Sequence, residues 1–348
     1  MGSVVEFLAL NTKVKALEGR LLSKEQIGEL IACNSYKEAL RFLKTSTKYS
    51  EALEGYNIEE LHRGQLEVIL KKHYIRNFTK LMHYLSEDYK KLLRIIFIRF
   101  EVEDIKIILR GKYIERENDE LLNMLNFQCS LSTVDYNELL QANSVGEVVE
   151  KLRGTVYFKH IANLVKDVEK EGLFQIEMAL DFVYFIMLRK FMKKLPKEDR
   201  DVIRKLNGTY ADLLNIQWIF RGIKYYKLKP EILFNYTIYD GWRLKKEDIK
   251  ALCYSGDLKE FYNRVNSTIY KEVFYRSNFQ EYLLEKEILA YLKKIYLKYS
   301  SEFKRNISVV LAYLELALLE CRDIISIVEN KRYSQLGEDI IQFITATI

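Results

Sequence analysis

Three stretches of this 348-residue chain resemble one another at a spacing near 110 residues. Such self-similarity constrains the fold more than any single motif does. Leu22-Ser23-Lys24-Glu25-Gln26-Ile27 leads to Thr47-Lys48-Tyr49, and Leu131-Ser132-Thr133-Val134-Asp135-Tyr136 leads to Thr155-Val156-Tyr157. Leu244-Lys245-Lys246-Glu247-Asp248-Ile249 leads to Thr268-Ile269-Tyr270. The step from leucine to threonine is 25, 24 and 24 residues. A further landmark lies 55 to 60 residues beyond each threonine: Asp104-Ile105, Asn215-Ile216 and Asp323-Ile324, each with an acid three positions earlier (Glu101, Asp212, Glu320). Three copies of one unit predict a scaffold rather than a single enzyme cleft.

The repeats read as helices. Ser23 is an expected N-cap with Gln26 three positions on, and Leu22 and Ile27 form a hydrophobic staple. Ser132 is the corresponding expected cap of the second copy, with Leu131 and Tyr136 as its staple. In the third copy Leu244 and Ile249 keep the staple while Lys245 stands at the cap. A second short helix is predicted to start at Asn34-Ser35, Asn143-Ser144 and Gly256-Asp257. Two longer helices follow in each copy. The first carries Leu66, Leu70 and Tyr74; Met178, Phe182 and Phe185; or Leu284, Ile288 and Leu292. The second carries the acid-x-x-Asx-Ile landmark. These helices end in Leu109-Arg110-Gly111-Lys112-Tyr113, Phe220-Arg221-Gly222-Ile223-Lys224-Tyr225 and Val328-Glu329-Asn330-Lys331-Arg332-Tyr333. Glycine and asparagine there predict left-handed C-caps. The Thr-x-Tyr residues are expected to satisfy turns between helices. No strand-like alternation is sustained, and the chain has only two prolines, Pro196 and Pro230. The expected fold is all-α, with helical units over 1–115, 116–229 and 230–348 and connections near 115–130 and 226–243.

Half the residues are hydrophobic (49%), enough for a sizeable core, and a net charge of +6 is small beside 104 charged side chains. That balance disfavours a nucleic-acid binder. The lysines and arginines between Lys71 and Lys91 make the first unit locally basic, read as a solvated face or an anionic partner surface. Cys33, Cys129, Cys253 and Cys321 are widely separated and fit reduced thiols in a cytosolic protein. The N-terminus lacks the pattern of a signal peptide. The most apolar window, Ile307 to Val328, is interrupted by Glu315, Glu320, Arg322 and Asp323 and is predicted to be a buried core helix, not a membrane span. The phosphate-cradling GxxxxGK[ST] loop, GxGxxG, HExxH and GxSxG are all missing from the sequence. His62, His73, His83 and His160 lack a plausible ligand set, so neither a metal nor a cofactor is expected.

Taken together the landmarks resemble the rotor socket subunit of V-type and archaeal A/V-type ATPases. Three segments carry the likeness: Lys15–Ser23, Ile176–Tyr184 and Asp212–Gly222. They are similar to the family's "RALKSRLLS", "ALDRAYY" and "DLxNIxxxxRxK" stretches. The chain departs from that pattern at Phe182 and Val183, at Lys224, which falls one position late, and in the third copy, which lacks the Arg-Gly stop. The resemblance implies a non-catalytic, pseudo-threefold funnel on the cytoplasmic face of a membrane, present once per complex. It would couple the central shaft to the proteolipid ring during proton or sodium transport. Arg110, Lys112, Arg221 and Lys224 recur at equivalent helix ends and are the candidate interaction residues; the competing reading is that they stabilise helix C-termini. The rivals to the socket are a helical-repeat adaptor for RNA or an anionic membrane surface, and a helical enzyme, which would need convergent polar residues in a deep pocket.

Overall fold

A computed structural model describes residues 2–277, 280–302, 306–333 and 337–346. Met1 and Ile348, at the ends of the predicted outer units, lie outside them. Every regular element among the described residues is a helix. Seven are long: Gly2–Glu18, Arg63–Met82, Glu87–Tyr113, Phe174–Met192, Lys197–Arg221, Glu281–Ser301 and Ser308–Arg332. The last six form the three predicted long pairs. Local sequence explains their ends. Glu87 and Asp88 occupy the first turn of Glu87–Tyr113, and Arg110 and Lys112 its last, so charges oppose the helix dipole at both ends. Pro196 stands just before Lys197, where its missing N–H costs no hydrogen bond.

The chain divides into two compact units. One is continuous, Gly64–Leu195; the other joins Met1–Arg63 to Pro196–Ile348. Glu87–Tyr113 and Lys197–Arg221 pack with short helices that follow them, and Ser308–Arg332 packs with Tyr36–Ser46, so compactness gives a different partition from the three sequence units.

In the continuous unit Glu87–Tyr113 lies against Phe174–Met192. Its core holds Tyr74, Phe78, Phe97, Phe100 and Phe127, with the Phe100 and Phe127 rings 4.9 Å apart. Leu66, Leu70 and Tyr74 are buried as predicted. In Phe174–Met192 the buried stripe is Ile176, Leu180, Val183, Tyr184, Leu188 and Phe191; Met178, Phe182 and Phe185 are only half-buried. That helix is apolar nearly all round, so periodicity alone selected the wrong rows.

In the discontinuous unit Ser308–Arg332 packs against Glu281–Ser301 and Gly2–Glu18. Its buried residues run from Ser308 to Lys331, and Leu284, Ile288 and Leu292 face inward from its partner. Among the described residues no helix is long and apolar enough to cross a membrane.

Candidate functional site

The polar landmarks meet one another. Thr47, Thr155 and Thr268 each bond a carbonyl three or four residues back (Leu43, Leu152, Val265) and accept the N–H of the tyrosine two residues on. They close the turn, as expected. The tyrosine hydroxyls go elsewhere. Tyr49 donates to Glu320 at 2.8 Å, Tyr157 to Glu101, and Tyr270 to Asp212 at 2.7 Å. Each tyrosine thus reaches the acid of the preceding copy, and the first reaches the last. Each acid also gathers donors from the start of the short-helix segment. Glu320 accepts Leu22 N–H at 2.6 Å, Glu101 accepts Thr133 N–H and hydroxyl, and Asp212 accepts the N–H groups of Trp242, Arg243 and Leu244.

One turn further along, the Asx residues bind the backbone 22 or 23 residues downstream. Asp104 accepts Asn126 and Phe127 N–H at 2.9 and 2.8 Å. Asn215 exchanges both bonds with Ile238, and Asp323 accepts Thr345 N–H and hydroxyl. These six side chains are buried. Burial pushes Glu320 up to about 7, against the pull of the Tyr49 hydroxyl and Leu22 N–H. Burial likewise raises Asp104 to about 6, and it raises Asp212. The tyrosines are shifted upward by desolvation and by the neighbouring acid, so the phenol remains the donor. Such nodes fasten the backbone of the following segment to the landmark helix.

The second short helices start as read. Ser35, Ser144 and Asp257 cap Glu38, Glu147 and Glu260 N–H, and each glutamate reaches back to the residue before the cap. In the first copy Ser23 and Gln26 form the reciprocal capping pair. The second copy differs. Asp135, not Ser132, caps the helix by accepting Asn137 and Glu138 N–H, and Ser132 accepts Cys129 N–H instead. The first helix is shorter there, Tyr136–Leu140 against Lys24–Ala32, so Tyr136 is its first residue and the Leu131–Tyr136 staple does not form about that cap. In the third copy only the Asp248 half of the reciprocal pair survives, accepting Lys245 N–H.

The predicted left-handed glycines are not left-handed. Gly111 and Gly222 sit in helical turns, and the positive φ values fall at Glu115 (57°) and Lys227 (48°). Glycine is required for close approach instead. A Cβ at Gly111 would lie 2.2 Å from the Leu121 side chain, and one at Gly222 would lie 2.1 Å from that of Leu233. After Gly222 the helix widens into a π turn, Gly222–Tyr226, in which Lys227 N–H reaches Gly222 C=O. One extra residue is absorbed there, which is why Lys224 falls one position late. Asn330 is not left-handed either; its amide donates to Ser326 C=O.

The four basic candidates are held within the chain. Arg110 pairs with Glu177 through two bonds, and Lys112 donates to Leu140 C=O at 2.6 Å. Arg221 lies 2.6 Å from Glu281, and the Lys224 ammonium is 5.0 Å from the Phe220 and Tyr225 ring centres. Among the described residues no group of three or more His, Cys, Asp or Glu is arranged to hold a metal ion. Sequence reasoning missed the tyrosine–carboxylate pairing. Its signal was the recurrence of both partners at fixed steps, but spacing could not say that they pair across copies.

Comparison with known proteins gives a consistent result. A family described as ATP synthase (C/AC39) subunit matches residues 10–342. The C subunit of the A-type ATP synthase of Methanocaldococcus jannaschii is 28% identical over 291 residues, covering 82% of this chain and 71% of that protein. Its counterpart from Methanobrevibacter smithii is 24% identical over 340 residues, covering 94% and 85%. The one from Methanosarcina mazei is 26% identical over 261 residues, covering 75% and 70%.

Proposed function

Because the chain belongs to the ATP synthase (C/AC39) subunit family, we propose that it joins the central shaft of an A/V-type ATP synthase to the membrane proteolipid ring. Membership makes it a non-catalytic stalk subunit of that complex. The match over residues 10–342 is the observation that carries this reading. The finer parts are a pseudo-threefold funnel built of 1–115, 116–229 and 230–348, one copy per complex, and a peripheral cytoplasmic position reached only through the ring.

Three features support that build. The tyrosine–acid and Asx–backbone contacts are made alike at three places. They link each copy to the one before it and the last to the first, as a closed threefold arrangement requires. The nodes are buried, and each acid takes bonds from a tyrosine hydroxyl and from backbone N–H groups, which stiffens the join between helices, and a part that transmits torque must be stiff. The charge is modest and intermixed, which favours a protein assembly over RNA.

The test is co-purification of the tagged chain from gently solubilised membranes. Stoichiometric recovery of a small proteolipid, shaft subunits and the ATP-hydrolysing head is expected. Assembly of a complete ATPase lacking this chain would remove the reading and promote the adaptor.

A further inference from the structure

The two helix ends at Gly111 and Gly222 form the same elbow with opposite charge. In both, a glycine admits the leucine of the next short helix: Leu121 in Asn118–Met124, and Leu233 in Pro230–Asn235. In both, a non-glycine residue takes the left-handed position, Glu115 in one and Lys227 in the other. The next N–H then turns back to the glycine carbonyl, Arg116 to Gly111 at 2.8 Å and Leu228 to Gly222 at 3.0 Å. Two residues past the left-handed position stands the N-cap of the short helix, Glu117 or Lys229, and neither makes a side-chain cap.

Apolar exposure recurs as well. Tyr113 and Ile114 are exposed on the first elbow, Tyr225 and Tyr226 on the second, where Tyr226 is 66% exposed. Leu122 and Met124 follow in one case and Ile232 in the other. Apolar patches with a polar rim mark interaction sites. The charge around them is reversed. From 112 to 120 the first elbow has Lys112 and Arg116 against Glu115, Glu117, Asp119 and Glu120; from 224 to 232 the second has Lys224, Lys227 and Lys229 against Glu231. The left-handed position and the N-cap carry glutamate in one elbow and lysine in the other, although the second elbow holds one more residue. The fold therefore does not demand the lysines, and their sign is free to match whatever faces them.

We propose that the exposed face of the second elbow, Tyr225, Tyr226, Lys227, Lys229 and Ile232, docks an acidic segment of another protein subunit of the same assembly. This rests on the stalk-subunit reading above. Tyrosine is enriched in protein interface hot spots, and the flanking Lys227 and Lys229 supply charge complementary to an acidic partner. The six-residue helix that carries Ile232 is too short to present the extended apolar face of an interfacial helix, which disfavours a lipid surface. The proposal also moves the contact away from Arg221 and Lys224, which the chain already engages.

The experiment places a photoreactive benzoylphenylalanine at position 226 of the full chain, in the complex purified from gently solubilised membranes. Cross-linked peptides are then mapped by mass spectrometry. Cross-links are expected on an Asp/Glu-rich segment of another subunit. The K227E/K229E pair should cut their yield at least tenfold while leaving helicity and melting temperature unchanged, because Glu115 and Glu117 already occupy those positions in the first elbow. Reversing the acids of the mapped segment should restore it. Cross-links only to lipid, to RNA or to a second copy overturn the proposal. So does a complete complex with no cross-link, or a yield that K227E/K229E leaves unchanged. Failure of even the unmodified chain to enter an ATPase complex instead overturns the stalk reading, and this proposal falls with it.

Discussion

A buried carboxylate is tolerated only when donors surround it, and three tyrosines supply one donor each to Glu320, Glu101 and Asp212. Removing a hydroxyl leaves the acid buried and short of a partner. Tyr49→Phe, Tyr157→Phe and Tyr270→Phe are each expected to cost about 1.5–3 kcal/mol, the range for hydrogen bonds to charged groups. Urea unfolding checks this, and losses below about 0.5 kcal/mol would show the nodes to be incidental. Glu320 also couples folding to pH. Its proton is held more tightly in the folded chain, near 7 against 4.5 for the free side chain. The resulting stabilisation is fully present below pH 4.5 and is lost as pH rises to 7; it amounts to about 3 kcal/mol as an order of magnitude. Glu320→Gln is expected to flatten this dependence. Unfolding midpoints of the two proteins between pH 5 and 7.5 test it: parallel slopes would refute the assignment.

Helix ends set the second scale. The motif at Arg110-Gly111 and Arg221-Gly222 was legible in the sequence as a stop, but the reason for glycine was not. Glycine serves a left-handed cap and a close approach equally well, and only the position of Leu121 and Leu233 against it separates the two. Gly222→Ala is expected to destabilise by about 1–3 kcal/mol through overpacking. Combined with Leu233→Ala, it should cost clearly less than the sum of the two single changes. Additive losses in thermal or urea melts would mean that the contact does not carry the effect. Lys227→Gly relieves a left-handed backbone in a residue with a Cβ and should gain up to about 1 kcal/mol.

At the scale of the molecule, the order of the chain and the order of packing are out of step. Gly64–Leu195 is continuous, with its own core around Phe100 and its own node at Glu101. As an isolated fragment it is expected to be helical and to melt cooperatively by circular dichroism. A fragment without a cooperative transition would show that the unit depends on the rest of the chain. The other unit is discontinuous, and its Glu320 node joins Leu22 and Tyr49 to a residue 298 and 271 positions away. Tyr157 and Tyr270 meet acids within 60 positions.

Helical periodicity, capping residues and internal recurrence are local, so the sequence by itself determined the all-helical class, the three long pairs, the second set of caps at Ser35, Ser144 and Asp257, and the family. Tertiary structure decided what recurrence cannot encode. Which acid each tyrosine meets and which face of the apolar Phe174–Met192 helix is buried depend on elements distant along the chain, and why Gly111 and Gly222 lack a side chain depends on how the next short helix folds back against them. A spacing pattern records that residues repeat. It does not record what the folded chain brings against them.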